Sequence, residues 1–201
     1  MKTRIEISAG AFLLPALLLL VLPIQWVVAI LLSAAIHELC HLCAITLLDG
    51  AIIRIRIGLR GAVIEMGELL PLKEILCALA GPVGSAALLF TARRFPRLAI
   101  CGAIHCIYNM LPLFPYDGGR ILSNLLRMLF KPDTAARIWR YSQWTVRILL
   151  FAAIVYLSSR LGAAVLLLAI FLLKTGSEEI PLANSAVWRY NRSNIGKGVH
   201  I

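Results

Sequence analysis

The sequence predicts an all-α polytopic membrane protein with about six transmembrane helices, a small interfacial β-hairpin and a broken fourth helix. Three observations carry this reading. The chain of 201 residues is 60% hydrophobic with a mean hydropathy of +0.86, far too apolar for an ordinary soluble domain. Its apolar residues gather in long runs, the first from Ile7 to Leu48, where a single crossing takes about 20 residues. A later run is interrupted by Pro112, Pro115, Gly118 and Gly119, and broken backbone at membrane depth is tolerated only where it is buried in protein or lines a cavity.

The elements follow in order. Lys2 and Arg4 before a leucine-rich run imitate a secretory signal, but the run exceeds a signal core of about 7 to 15 residues, and cleavage near Ser33-Ala34-Ala35 would sever it just before His37. Retained helices are therefore expected, two of them, with a turn near Pro23. Asp49-Gly50 ends the second. From Ile53 to Arg60 the residues Ile53, Arg54, Ile55, Arg56, Ile57, Gly58, Leu59 and Arg60 follow the two-residue period of a strand, Arg60-Gly61 turns it, and Ala62 to Met66 returns. This hairpin either anchors arginines at lipid headgroups or offers a strand edge to an extended peptide.

A third helix runs from Pro71 to about Arg93, with Gly81, Pro82, Gly84, Ser85, Ala86 and Ala87 as a small-residue face for close helix approach. Leu98 to about Leu111 is the fourth apolar segment, the one that is interrupted. Gly119 to Arg140 reads as basic amphipathic helix at the interface. Thr145 to Leu157 and Leu161 to Leu173 read as two short spans joined at Ser158-Ser159-Arg160. Residues 1–173 thus form one membrane domain, and residues 174–201 a polar tail. The sequon Asn191-Arg192-Ser193 carries no weight without an extracytoplasmic tail.

A net charge of +10 in such a chain points to topology and to the lipid bilayer as partner, not to nucleic acid. Six spans put both termini on one side. With the termini cytoplasmic, all of the 20 basic residues except Arg93, Arg94, Arg97 and Arg160 face the cytoplasm, as the positive-inside rule requires. The five cysteines are odd in number and lie in apolar segments, so no disulfide framework is implied. Cys40 and Cys43 read as packing residues, since thiolates beside two histidines would close a metal site.

Chemistry concentrates at His37, Glu38 and His41. Histidines four apart on a helix lie about 40° apart around its axis, so both imidazoles can close on one ion. Neutral imidazole suits zinc, and a catalytic zinc takes three protein ligands and one water, whose pKa falls to about 7. Glu38 projects about 100° from His37, within reach of that water and not of the metal, which makes it the candidate general base. Ionisable groups in a membrane segment default to function. The third ligand is expected at Asp117, the only carboxylate between Glu74 and Asp133. The second helix returns to the cytoplasm and so does the fourth, which places His37, His41 and Asp117 at one depth. Asn109 and His105 share a face of the fourth helix; Asn109 is a candidate oxyanion donor, and His105 is not counted as a ligand.

Taken together, His37-Glu38-Leu39-Cys40-His41, Ala80-Gly81-Pro82 and the run from Asn109 through Pro112, Pro115 and Asp117 to Arg120 resemble the site-2 protease family of intramembrane zinc metalloproteases. The resemblance covers roughly residues 7 to 173 and is closer to the bacterial branch typified by the stage IV sporulation protein FB. It implies zinc held by His37, His41 and Asp117, Glu38 activating water, and Asn109 assisting at the oxyanion. It also implies an integral protein of a bacterial cell membrane that cuts a membrane-tethered protein substrate in or near the bilayer. In the family such cuts release or activate a transcription factor, in some cases under a membrane regulatory protein; a sporulation role rests on analogy. The nucleotide-binding and periplasmic peptide-binding domains of some relatives have no counterpart here, so substrate selection by them is not expected. The rival reading is a non-proteolytic zinc-binding scaffold or an ion carrier. Carriers usually show paired interrupted helices, and a scaffold has no need of Glu38.

Overall fold

The computed structural model describes residues 4–58, 61–67 and 69–161. The chain divides after Leu125 into two compact units.

In the first unit, strand β1 (Arg4–Ile7) leads into helices α1 (Gly10–Val21) and α2 (Ile24–Leu47). Pro23 separates the helices from an extended conformation, φ −56° and ψ 143°, because it cannot supply the N–H that would continue α1. Strands β2 (Ile52–Gly58) and β3 (Gly61–Met66) follow, then α3 (Pro71–Ala87), a 3₁₀ turn (Leu88–Thr91) and α4 (Pro96–Asn109). Pro71 and Pro96 each open a helix where a missing N–H costs nothing. Helices α2, α3 and α4 pack pairwise.

The end of α2 is closed by two devices. Asp49 takes a left-handed φ of 59°, and the Gly50 N–H donates to Ile45 O at 2.8 Å, the six-to-one bond of a Schellman cap. Lys73 Nζ donates to Leu48 O at 3.0 Å, a cation on the negative end of the helix. That bond also fixes where α3 starts relative to α2.

The expected hairpin is the larger part of a three-stranded sheet in the order β1-β2-β3, with β1 parallel and β3 antiparallel to β2. Ile5, Ile55 and Ile64 align on one face and Arg4, Arg54 and Glu65 on the other. Glu6 and Glu65 pair with Arg54 at 3.7 and 3.6 Å, and Glu65 also pairs with Arg56. These pairs are exposed and contribute little each. The strand carrying Arg54 and Arg56 is therefore central, so a free edge belongs to β1 or β3.

Helix α5 (Asp117–Leu129) crosses the boundary between the units, and α6 (Pro132–Leu161) belongs to the second. Here the sequence reading needs correction. The first half of the basic interfacial stretch is α5, its second half and the fifth span are one helix, and Ser158-Ser159-Arg160 does not break it: α6 is one helix of 30 residues. Ser158 Oγ donates to Val155 O at 2.8 Å and Ser159 Oγ to Tyr156 O at 2.7 Å, so both serines satisfy themselves on the preceding turn. Of the expected sixth span at Leu161 to Leu173 only Leu161 is described, as the last residue of α6; the tail at 174–201 and Arg60 of the hairpin turn lie outside the described residues.

Among the described residues, three helices are long and apolar enough to cross a membrane: Ile24–Leu47, Pro71–Thr91 and Pro132–Arg160. The expected six are not all of that length. The 12 residues of α1 and the 14 of α4 extend about 18 and 21 Å against a hydrocarbon core of about 30 Å.

Candidate metal centre

Two elements meet at one point of the first unit. His37 and His41 come from one face of α2, and Asp117 is the first residue of α5. All three are buried, at 3%, 5% and 6% exposure. His37 Nε2, His41 Nε2 and Asp117 Oδ2 form a triangle with every side 3.1 Å. The spacing of four on α2 supplies two corners, as the sequence predicts. The interrupted segment supplies the third.

Asp117 is placed by backbone contact. Gly118 and Gly119 lie so close to the chain before them that a Cβ on Gly118 would overlap Met110 O and one on Gly119 would overlap Leu113 O. Only glycine permits this approach. The Phe114–Pro115 peptide is cis, and Tyr116 N–H donates to Leu113 O at 2.9 Å as the chain enters α5. The Asp117 carboxylate sits at the positive end of α5, with its second oxygen 3.9 Å from Arg120 Nη1.

The outer nitrogens of the two histidines are committed elsewhere. His41 Nδ1 lies 2.8 Å from Cys77 O. A carbonyl only accepts, so Nδ1 carries the proton and, in the neutral ring, Nε2 presents a lone pair to the triangle. His37 Nδ1 lies 2.9 Å from Ser85 Oγ. Both partners lie on α3, the helix facing α2, and orient the rings from behind.

This donor set fits a metal ion. A tetrahedral zinc with bonds of about 2.0 to 2.1 Å sets its donors roughly 3.3 Å apart, close to the 3.1 Å sides found here. With His41 neutral and Asp117 ionised the two face each other as acceptors, an arrangement that a cation between them satisfies. The space is also kept open: a Cβ on Gly81 would overlap His41 Nε2 and stand 2.8 Å from His37 Cε1. His37, His41 and Asp117 form the group of metal-capable side chains among the described residues.

Glu38 is half-buried beside this triangle. It follows His37 directly on α2 and is not a corner of the triangle. Asn109 ends α4 and is 9% exposed. Its amide Nδ2 donates to His105 O at 3.1 Å, so one of its two N–H bonds is turned back on its own helix. His105 is not a corner; its nitrogens face Ser33 and Tyr108.

Sequence reasoning missed the supporting groups. Ser85 and Gly81 were legible only as small residues for helix packing, and a backbone carbonyl such as that of Cys77 leaves no mark in a sequence. The signal available for Ser33 was its place one turn before His37 on α2.

Comparison with protein-family models finds no match, and comparison with curated proteins finds none. Among solved structures the chain is similar to "Site-2 Protease from Methanocaldococcus jannaschii", with a TM-score of 0.65 and 20% sequence identity over 92% of this chain and 94% of that one. At this identity the likeness concerns the fold. It agrees with a membrane protein of this helical plan with a small sheet.

Proposed function

We propose that the protein is a zinc-dependent intramembrane endopeptidase that cuts a membrane-tethered protein substrate in or near the bilayer. The observation that carries the reading is the buried triangle of His37 Nε2, His41 Nε2 and Asp117 Oδ2 with Glu38 beside it and outside it. A structural site would use closed coordination, whereas three protein donors leave a position open. The fold neighbour is itself a site-2 protease.

His37, His41 and Asp117 would hold the ion. When bound, zinc there supplies a Lewis acid that lowers the pKa of water and polarises the scissile carbonyl. Glu38 takes the proton from the attacking water and later passes it to the leaving amide nitrogen. Asn109, whose amide also bonds Tyr108, turns an N–H to the carbonyl oxygen as charge develops there. A transmembrane substrate hides its carbonyls in helical hydrogen bonds, so the cut requires a locally extended segment. An outer edge of the sheet, at β1 or β3, is the proposed place to hold it. Release of a transcription factor, a membrane regulatory protein as partner and a cytoplasmic site belong to the same proposal.

The test is cleavage of a panel of membrane-tethered substrates in liposomes by wild type, Glu38→Gln and chelator-treated protein, with zinc measured on each. Cleavage by wild type alone, with zinc retained in Glu38→Gln and activity lowered by about 10³-fold or more, is the expected result. Bound zinc with no cleavage of any substrate would favour the scaffold reading; well-folded protein that binds no zinc would remove the basis of both.

A further inference from the structure

Three polar side chains beside the triangle take no part in it. Ser33 is fully buried on α2, one turn before His37, and His105 and Tyr108 lie one turn apart on α4. His105 Nδ1 is 3.4 Å from Ser33 Oγ, and its Nε2 is 3.1 Å from Tyr108 Oη. The His105 ring nevertheless lies against the site, its centroid 5.3 Å from that of His37. Tyr108 meets the ring of Tyr116, the residue before Asp117, edge to face at 5.7 Å. Its hydroxyl oxygen also accepts a hydrogen bond from the Asn109 side chain.

Hydrogen-bond direction decides what this array can do. A neutral imidazole has one donor and one acceptor, and each hydroxyl has both. In one arrangement Ser33 donates to His105 Nδ1 and the Nε2–H donates to Tyr108 Oη, which leaves the Tyr108 proton free. In the other, Tyr108 donates to Nε2 and has no proton left to give. Tyr108 packs on Tyr116, the neighbour of the Asp117 carboxylate, and negative charge there favours the first arrangement, in which the O–H dipole is able to turn towards it. A phenyl ring would fill the same space without the cost of burying a hydroxyl. Asn109 meanwhile has one N–H spent on His105 O, so a second donor at this end of α4 has work to do.

We propose that Tyr108 is a further catalytic residue, whose hydroxyl donates a hydrogen bond to the oxygen of the scissile carbonyl as that oxygen becomes negative. His105 and Ser33 are the positioning residues that turn the O–H proton towards it. The Tyr108 O–H bond stays intact; the hydrogen bond strengthens in the transition state, where a donor of this kind acts. This inference rests on the peptide-bond hydrolysis proposed above.

Two measurements on full-length, zinc-loaded protein test it. In liposome cleavage, Tyr108→Phe should lower kcat about 100-fold with KM and zinc content unchanged, and His105→Gln should show a smaller loss of the same kind. Equal kcat in wild type and Tyr108→Phe would overturn the proposal while leaving the protease reading intact. Wild type that cleaves nothing would overturn both. The second measurement needs no substrate: ¹⁵N-histidine spectra, assigned with His105→Gln, should show the His105 proton on Nε2. A proton on Nδ1 would mean that the Tyr108 proton is spent on His105, and the proposal would fall. Because the spectra are taken on unmodified protein, failure of a variant to fold does not remove the test.

Discussion

Gly81 is the residue at which packing and chemistry coincide. A methyl group there would stand in the space between the two imidazoles, overlapping His41 Nε2, and neither ring can withdraw without losing Ser85 or the Cys77 carbonyl behind it. Gly81→Ala is therefore expected to abolish zinc binding in protein that still folds, as read by metal content per folded chain. Ser85→Ala makes the milder case. It frees His37 Nδ1 and should weaken zinc affinity by about 10- to 100-fold, the usual effect of losing a partner behind a metal-ligating histidine, as competition with a chromogenic chelator would report. The corners of the site were legible because metal ligation needs particular residue types at helical spacing, and because a carboxylate in a broken apolar segment has few other uses. The supports were not: Gly81 and Ser85 look identical to packing residues, and their role depends on which helix α3 happens to face.

At the scale of elements, the approach of α3 to α2 depends on a second glycine. A Cβ on Gly84 would overlap Cys40 Sγ and sit 3.0 Å from Cys40 Cβ. Gly84→Ala should destabilise the protein by about 1 to 3 kcal/mol, the range for overpacking, and Cys40→Ala in the same chain should recover part of it by removing the sulfur. A thermal-unfolding double-mutant cycle in detergent checks this, and additive effects would show that the helices do not meet there. The same pairing accounts for Cys40 as a packing residue. Other elements were harder to read for physical reasons. Arg4-Ile5-Glu6-Ile7 has the alternation of a strand, but four residues beside a long apolar run look like its flank; only pairing with β2, some fifty positions later, makes β1. Ser158 and Ser159 look like a break because serine competes with helical hydrogen bonds in water. In α6 their hydroxyls bond back to the preceding turn and the helix continues.

Over the first unit as a whole, the site and the sheet lie at the same end of the helices. His41 is six residues from the end of α2 and Cys77 six from the start of α3, about 9 Å in each case, and β2 and β3 connect those two ends. Asn109 closes α4 at that end too. At the opposite end, Arg97 lies over the Trp26 ring at 5.9 Å, an aromatic and basic pair of the kind found at membrane interfaces. The sheet end bears Arg4, Arg54, Arg56 and Lys73, the other end Arg93, Arg94 and Arg97, so charge alone separates the two sides by a modest margin and a direct measurement is needed. Position 8 beside β1 and position 94 beyond α3 are both exposed. With the sheet end cytoplasmic, Arg94→Cys should react with a membrane-impermeant maleimide on intact cells, and Ser8→Cys only after the membrane is opened. Wild type supplies the background from its own five cysteines. The reverse pattern would turn the molecule over, place the donor triangle near the outer face, and require a substrate whose scissile bond approaches from outside the cell.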